Sequence, residues 1–593
     1  MLAPPRLADN QLNQLSEETP LVCLNRVPFI LLAIALVGCS GPASPSGLTE
    51  RTPAAEQTGP KRITAAILGD PYTFSAKLNT SGPGSNVPGT DALEDLMNSG
   101  LANTDNRGLL NPVLADAVPT VENGRWVLLP DGRMETTWHI RPNAYWQDGT
   151  PFTADDLIFT TQVSRDKQVG WEYDAAFDAF DSIESSNGGE TVIVRWKQPF
   201  IEADTMFSHA VSGRTLPLPK HLLEDPYTRD RATLMDHPYW SEQFVGTGPF
   251  KLREWQRGSH LIVDANERFV LGRPRIDQVD VRFVTDPRTL AANILAGDID
   301  LTIGRGISLE QATQVRDQWR DGVMDYRVSN WLVAYPQFLD PSPEIIRNVQ
   351  FRRALVHALD RQQMTDALQA GLGEVAHTYI SPDDPAYPDV GPVVPRYDFD
   401  PNRAIRMIED LLYRRDAEGF RTPSGQRLEL EVRVGAGEDL TEKAGLAMAD
   451  YFHRAGIAAD ATIVPAQRIR DREYAATFPG LYLRGQPTDP ARLGRFHSSK
   501  VPTPENNYIG DNNPRYRNPE FDVLLERYSM TVAQRPRYQV LSQIVSHIAD
   551  QVIMIGLFYR VEPTLFANRI KNVAARPPTS TQAWNAHLWD VTS

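Results

Sequence analysis

Cysteine is nearly missing from this chain of 593 residues: there are two, Cys23 and Cys39, both close to the N-terminus. The body therefore holds no disulfide, no thiolate metal site and no cysteine nucleophile. Basic charge is also short. Lys and Arg number 60 against 75 Asp and Glu, a formal net charge of −15. Residues 1–38 hold two arginines and three acids, so the rest carries −14 by the same count. A nucleic-acid-binding surface needs the opposite excess. The apolar run Val27–Val37 is eleven residues long with Pro28 inside it, too short to span a bilayer. Catalytic signatures are missing too: there is no G-x-S-x-G elbow, H-E-x-x-H pair, Walker A loop or C-x-x-C. The eleven histidines are scattered, and the closest pair, His209 and His221, lacks ligand spacing.

What is present is a soluble, globular composition, 41% hydrophobic and 23% charged, long enough for several cores. Its most informative stretch is Thr136 to Thr160. Met134, Thr136, Trp138 and Ile140 alternate with polar residues, a strand period. Pro142 ends the strand, and Asp148-Gly149 makes a tight turn. Thr153 and Asp156 then form a capping box for a helix, with Phe152 and Leu157 placed as a hydrophobic staple. The pairs Asp155/Asp156 and Asp383/Asp384 read as solvated surface, because adjacent residues do not face one another on a helix.

Further on, Asn187-Gly188-Gly189 marks a hairpin before the β-branched run Thr191–Trp196. Three helices start cleanly at Asp286-Pro287, Asp400-Pro401 and Asn518-Pro519. Asn348 caps another, expected to run to Gly371. Ala404, Ile408, Leu411 and Leu412 form the apolar stripe of the helix after Asp400. Asn330–Tyr335 and the apolar run Val552–Tyr559 read as strands. Gly246 and Gly248 stand before Lys251 without Walker spacing or a helix start, so they read as a close-packed turn near the core.

The wording of the central stretch carries a resemblance. Trp146-Gln147-Asp148-Gly149-Thr150-Pro151-Phe152-Thr153-Ala154-Asp155-Asp156 is similar to the signature of the extracytoplasmic solute-binding proteins of family 5, the peptide and oligopeptide receptors of ABC importers. Val245-Gly246-Thr247-Gly248-Pro249-Phe250, Leu295-Ala296-Gly297-Asp298-Ile299-Asp300 and Tyr397-Asp398-Phe399-Asp400-Pro401 resemble further landmarks of that family in the right order. The resemblance spans nearly everything from Arg62 to Asn572.

The resemblance implies an α/β, two-lobed periplasmic-binding-protein-like fold of type II, in the large family-5 form with an extra subdomain. Expected boundaries are 1–38 for a signal peptide and 39–61 for a lipidated flexible tether. Residues 62–305 form lobe I, with an inserted subdomain at about 96–214. Residues 306–555 form lobe II, and 556–593 return to lobe I. Leu36-Val37-Gly38-Cys39 resembles a bacterial lipobox, which makes Cys39 the lipidation site and displays the protein outside the cytoplasmic membrane. The implied mechanism is capture by a monomer, without cofactor, metal or catalysis. Its partners are a peptide or other small solute and an ABC permease with its ATPases. The rival is a lipid-anchored exported hydrolase, such as a glycosidase with two carboxylates at a set separation.

Candidate ligand residues are the strand aromatics Trp331 and Tyr335 with Arg484, Gln486 and Asp489. Peptide receptors of the family hold the α-ammonium with an aspartate, and Gln486 stands at the corresponding place. A neutral amide accepts from an ammonium but cannot pair its charge. Asp489 is the substitute if the loop is shifted. Arg484 favours an anionic or neutral polar ligand, such as a modified peptide or an oligosaccharide, with plain peptides as the default from the family.

Overall fold

Two long strands, Gly322–Pro336 and Ile555–Ala567, run antiparallel from Gly322 opposite Ala567 to Ala334 opposite Ile555. Each belongs to a different neighbourhood at its two ends. At one end Phe566 pairs with Leu301 of Leu301–Thr302. At the other, Trp331–Pro336 pairs with Leu481–Gln486. The result is a ten-stranded sheet. Its order is Ala458–Ile463, Glu429–Val434, Leu481–Gln486, the two long strands, Leu301–Thr302, Arg62–Ile67, Gln278–Phe283, His260–Ala265 and Phe250–Gln256. The register between the long strands shifts between Val328 and Asn330, which leaves Ser329 as an extra residue. Such a bulge bends the strand and raises its local twist.

The structure is a computed structural model. It describes residues 59–593 apart from 79–86, 171–173, 210–214, 305, 436–437, 469, 575, 577–579 and 593. The expected signal peptide, Cys23, Cys39 and most of the tether lie outside the described residues, which fall within one compact unit, 58–593. Among the described residues no helix is long and apolar enough to cross a membrane.

Both halves of the sheet are packed on two faces, and side-chain alternation decides which core each residue enters. In lobe I, Ile63, Ala65 and Ile67 join one cluster with Leu93, Val279 and Val281, while Ala66 joins Leu290 and Ile294 on the reverse face. Ala312 and Val315 of the helix Leu309–Gln318 belong to that second cluster, so this helix packs with lobe I. In lobe II, Leu332 and Ala334 enter a core with Leu355, Val432 and Met448. Trp331, Val333 and Tyr335 enter the opposite one, with Tyr379, Phe496 and Leu541.

A separate four-stranded antiparallel sheet, in the order Trp126–Leu128, Met134–His139, Thr191–Trp196 and Phe180–Ser186, carries a third core around Trp138, Trp146 and Trp196. The helix Ala154–Arg165 lies between this subdomain and lobe I: Ala154 and Leu157 face the subdomain core, Phe159 and Val163 the lobe I core. Gln147 stitches the two together. Its amide nitrogen donates to the carbonyls of Met97 at 2.8 Å and Phe250 at 2.6 Å, and its oxygen accepts from Gly246 N at 3.1 Å. A Cβ on Gly246 would lie 2.0 Å from the Met97 carbonyl oxygen, which is why this crossing takes glycine.

Four expectations need correction. Asp156 is buried rather than solvated: it accepts from Thr153 N at 2.9 Å, Lys220 N at 3.0 Å and Trp146 Nε1 at 3.3 Å. The helix after Asn348 is two helices, Val349–His357 and Arg361–Leu368, because Asp360 caps Gln363 N and starts a new one. Leu412 is exposed, since the helix Pro401–Asp410 ends before it. The run at Val552 turns first, with Val552 at φ 46°, and becomes strand only at Ile555.

Asp156→Ala would orphan three donors at a buried junction. We expect a loss of about 2–4 kcal/mol, with Asp156→Asn losing less because it keeps one acceptor oxygen. Chemical denaturation of the solute-free protein measures both. A loss under about 0.5 kcal/mol for the alanine variant would show that water satisfies these groups instead.

Candidate functional site

The register of Leu481–Gln486 against the first long strand places Gln486 opposite Trp331, Arg484 opposite Val333 and Tyr482 opposite Tyr335. Residues directly opposite share a face. Trp331, Tyr335, Arg484 and Gln486 therefore stand on one face of lobe II, the face covered by Tyr379 and Phe496. Asp489 lies beyond the strand end. Its carboxylate accepts from Ala491 N at 2.9 Å and caps the turn Pro490–Phe496, with Arg492 Nε 3.8 Å away. Its carbonyl accepts from the Tyr379 hydroxyl at 3.0 Å. The structure thus brings four of the five candidates onto one face and gives the fifth a capping role at its edge.

Sequence reasoning missed Arg495, the residue that ties this face together. Its side chain is 11% exposed, and Nη1 donates to Gln486 Oε1 at 2.6 Å. The nearest carboxylate, Asp511, lies 3.9 Å from Nε and is mostly exposed. Arg484 reaches Asn513 Oδ1 at 3.4 Å and stacks over Tyr482 at 5.4 Å. Burial pushes the Tyr335 hydroxyl up to about 12, opposed by the nearby charges of Arg495 and Arg484. Three donors on this face, Trp331 Nε1, Tyr335 OH and Arg495 Nε, are buried without a hydrogen bond of normal geometry. Nothing in the periodicity marks Arg495. It sits on the short 3-10 helix Pro490–Phe496, and its partner is fixed only by the fold.

Asp384 also departs from the solvated reading. Burial raises its carboxyl to about 6, while Asp383 beside it stays exposed. Lobe I holds a second buried polar cluster that the sequence did not announce. Glu94 accepts from Ala76 N at 2.9 Å, and burial raises its carboxyl to about 7. Asp95 accepts from the Thr581 hydroxyl and lies 3.5 Å from His209 Nε2. Among the described residues no group of His, Cys, Asp and Glu has the arrangement of a metal site.

With this geometry in place, comparison with known proteins is decisive. Residues 118–502 match the bacterial extracellular solute-binding proteins, family 5. The chain belongs to that family. It is a solute-binding component of an ABC importer, working outside the cytoplasm, and not an enzyme, so the hydrolase alternative falls. The oligopeptide-binding protein AppA of Bacillus subtilis is 24% identical over 542 residues, 90% of this chain and 92% of that protein. Its structure with a nonapeptide superposes with a TM-score of 0.65 at 21% identity, covering 90% of this chain and all of the other. NikZ from Campylobacter jejuni, solved with Ni(L-His), gives 0.67 at 20% identity over 89% and 99% of the two chains. The periplasmic EDTA-binding protein EppA gives 0.71 at 17% identity over 90% and 98%. At these identities the structures establish the shared two-lobed fold.

The raised carboxyl of Glu94 carries a stability signature. The folded state keeps a proton up to pH about 7, whereas an unfolded glutamate loses it near its ordinary value of 4.5. The contribution is full below 4.5 and is lost as pH rises through 7. Glu94→Gln should flatten this slope and gain up to about 3 kcal/mol over the parent at pH 8, with little difference at pH 4. Denaturation at the two pH values measures it; parallel pH profiles of parent and variant would refute it.

Proposed function

We infer that the chain captures a peptide or peptide-like solute between its lobes and delivers it to the permease. Of the expected bounds we keep a lobe I that starts near 62, includes a subdomain at about 96–214 and regains the C-terminal segment, and we move its border with lobe II from 306 to the two long strands. The packing of Leu309–Gln318 against Leu290 and Ile294 supports placing the division at the long strands rather than at 306. The supporting observation for capture is the pair of strands shared by both lobes and bulged at Ser329, next to a lobe II face that carries buried donors without partners. Contacts to both lobes would stabilise the closed arrangement by their differential free energy.

AppA was solved with a nonapeptide, NikZ with a metal–histidine complex, and EppA is named for EDTA, so this fold houses solutes of different charge. Gln486 in place of the family's aspartate supports a solute whose free ammonium is not its main handle. A modified peptide fits this, and an oligosaccharide is the alternative. Cys39 anchors the mature protein through its acyl chains, since two chains hold a membrane where one binds marginally.

Mass spectrometry of solute released by denaturing the purified protein identifies the class; glycans in place of peptides would overturn the peptide reading. Small-angle scattering should show a smaller radius of gyration at solute saturation, and an unchanged radius would count against hinge closure. Cys39→Ala should move the protein from the membrane to the soluble fraction and abolish acyl labelling. Continued labelling of that variant would place the anchor elsewhere.

A further inference from the structure

The lobe II face is rich in donors and poor in acceptors. Gln486 Oε1 already accepts from Arg495 Nη1. Asp489 is engaged in capping its turn, and Asp511 is largely in solvent. Against these stand two arginines. Arg484 has a long contact to a neutral amide, and the buried Nε of Arg495 has no hydrogen-bond partner. The Tyr335 hydroxyl, on a fully buried side chain, lies against the Arg495 guanidinium, and no acceptor takes its proton. An orphaned buried donor costs about 1–3 kcal/mol, more when charged, so a set of them on one face is not neutral packing.

We propose that this set is an anion subsite: Arg495 and the Tyr335 hydroxyl, flanked by Arg484, take a carboxylate of the solute. The inference rests on the reading of this face as a wall of the solute site. A carboxylate offers about four lone-pair positions and only accepts, which matches what the set lacks. The pairing of guanidinium with carboxylate is charge-assisted and about twice as strong as a neutral bond. Trp331 Nε1 does not share that carboxylate. Trp331 and Tyr335 are four residues apart on one strand, about 13 Å at ~3.3 Å per residue, so the indole serves a second acceptor further along the solute. Gln486 then has a definite role. It orients the Arg495 fork as a neutral acceptor and leaves the guanidinium charge free for the solute. An aspartate at 486 would neutralise that charge.

The test uses calorimetric titration of the mature protein, freed of co-purified solute, with three probes. These are a pool of glutamate-containing tripeptides, the same pool with every carboxylate amidated, and citrate. The parent should bind the acidic pool at least about 30-fold tighter than the amidated pool. Arg495→Gln should bring that ratio close to one. Tyr335→Phe, which removes only the hydroxyl, should lower it several-fold. Arg495→Lys replaces the glutamine variant if thermal melts show the latter unfolded, and it should retain part of the preference. Equal binding of both pools by the parent, or an unchanged preference in the arginine variants, overturns the anion subsite while leaving peptide capture standing. Binding of citrate but of neither pool, lost in Arg495→Gln, sustains the subsite and removes the peptide reading. Binding of none of the three probes defeats both.

Discussion

Everything in this molecule depends on two strands being members of both lobes. From Gly322 opposite Ala567 to Ala334 opposite Ile555 the ladder is nearly continuous, and its ends are locked into different surroundings. At the lobe I end, Arg569 forks onto Asp300, whose second oxygen also accepts from Thr64 N, while Leu565 N donates to the Thr302 hydroxyl at 3.0 Å. At the lobe II end, Trp331 lies over Gly556, where a Cβ would meet the indole at 2.6 Å. The ladder is broken at two places: at Ser329, between Val328 and Asn330, and between Leu332 and Val333, where Leu557 is the extra residue on the other strand. The Ser329 hydroxyl and the Asn330 side-chain oxygen are buried without a hydrogen-bond partner. The closure proposed above would draw on these irregular points rather than on the packed ends.

The same two strands explain why the candidate site residues are so deeply set. Because side chains alternate, the strand that supplies Leu332 and Ala334 to one core must present Trp331, Val333 and Tyr335 on the other face. Aromatics there are held edge-on, with Trp331 against Tyr379 at 5.7 Å and Tyr379 against Phe496 at 6.0 Å. Such packing fixes the polar tips in position. The cost is that Tyr335 and Trp331 carry donors into the interior for which no acceptor is in place.

Local chemistry was legible where it was complete within a few residues. Asp286, Asp400 and Asn518 each accept from the backbone N–H three residues on, at 2.7, 2.8 and 2.9 Å, as Asx-Pro pairs predict. The alternation of Met134–His139 and the hairpin at Asn187 were readable for the same reason. The capping box at Thr153 was visible too, but not the burial of Asp156, because Lys220 N and the Trp146 indole come from elsewhere in the chain. The first half of the strand Gly322–Pro336 is polar and only half buried, so no pattern extends Asn330–Tyr335 back to Gly322. Of the site, the strand residues could be named, but their shared face needed the register. Arg495 and Glu94 needed the fold itself.

Gln486 shows how much one uncharged side chain decides. A carboxylate at that point of the strand, 2.6 Å from where Arg495 Nη1 now sits, would form a closed ion pair in a nearly dry setting. Such a pair satisfies itself and offers a solute little. The amide accepts the same hydrogen bond without cancelling the charge, so the guanidinium stays positive beside the Tyr335 hydroxyl. Arg484, two residues earlier on the same strand face, adds a second positive charge. The amide at 486 and the arginines at 484 and 495 are thus one electrostatic arrangement. An acceptor-poor, donor-rich face follows from it, and under the proposed anion subsite the solute brings the acceptors.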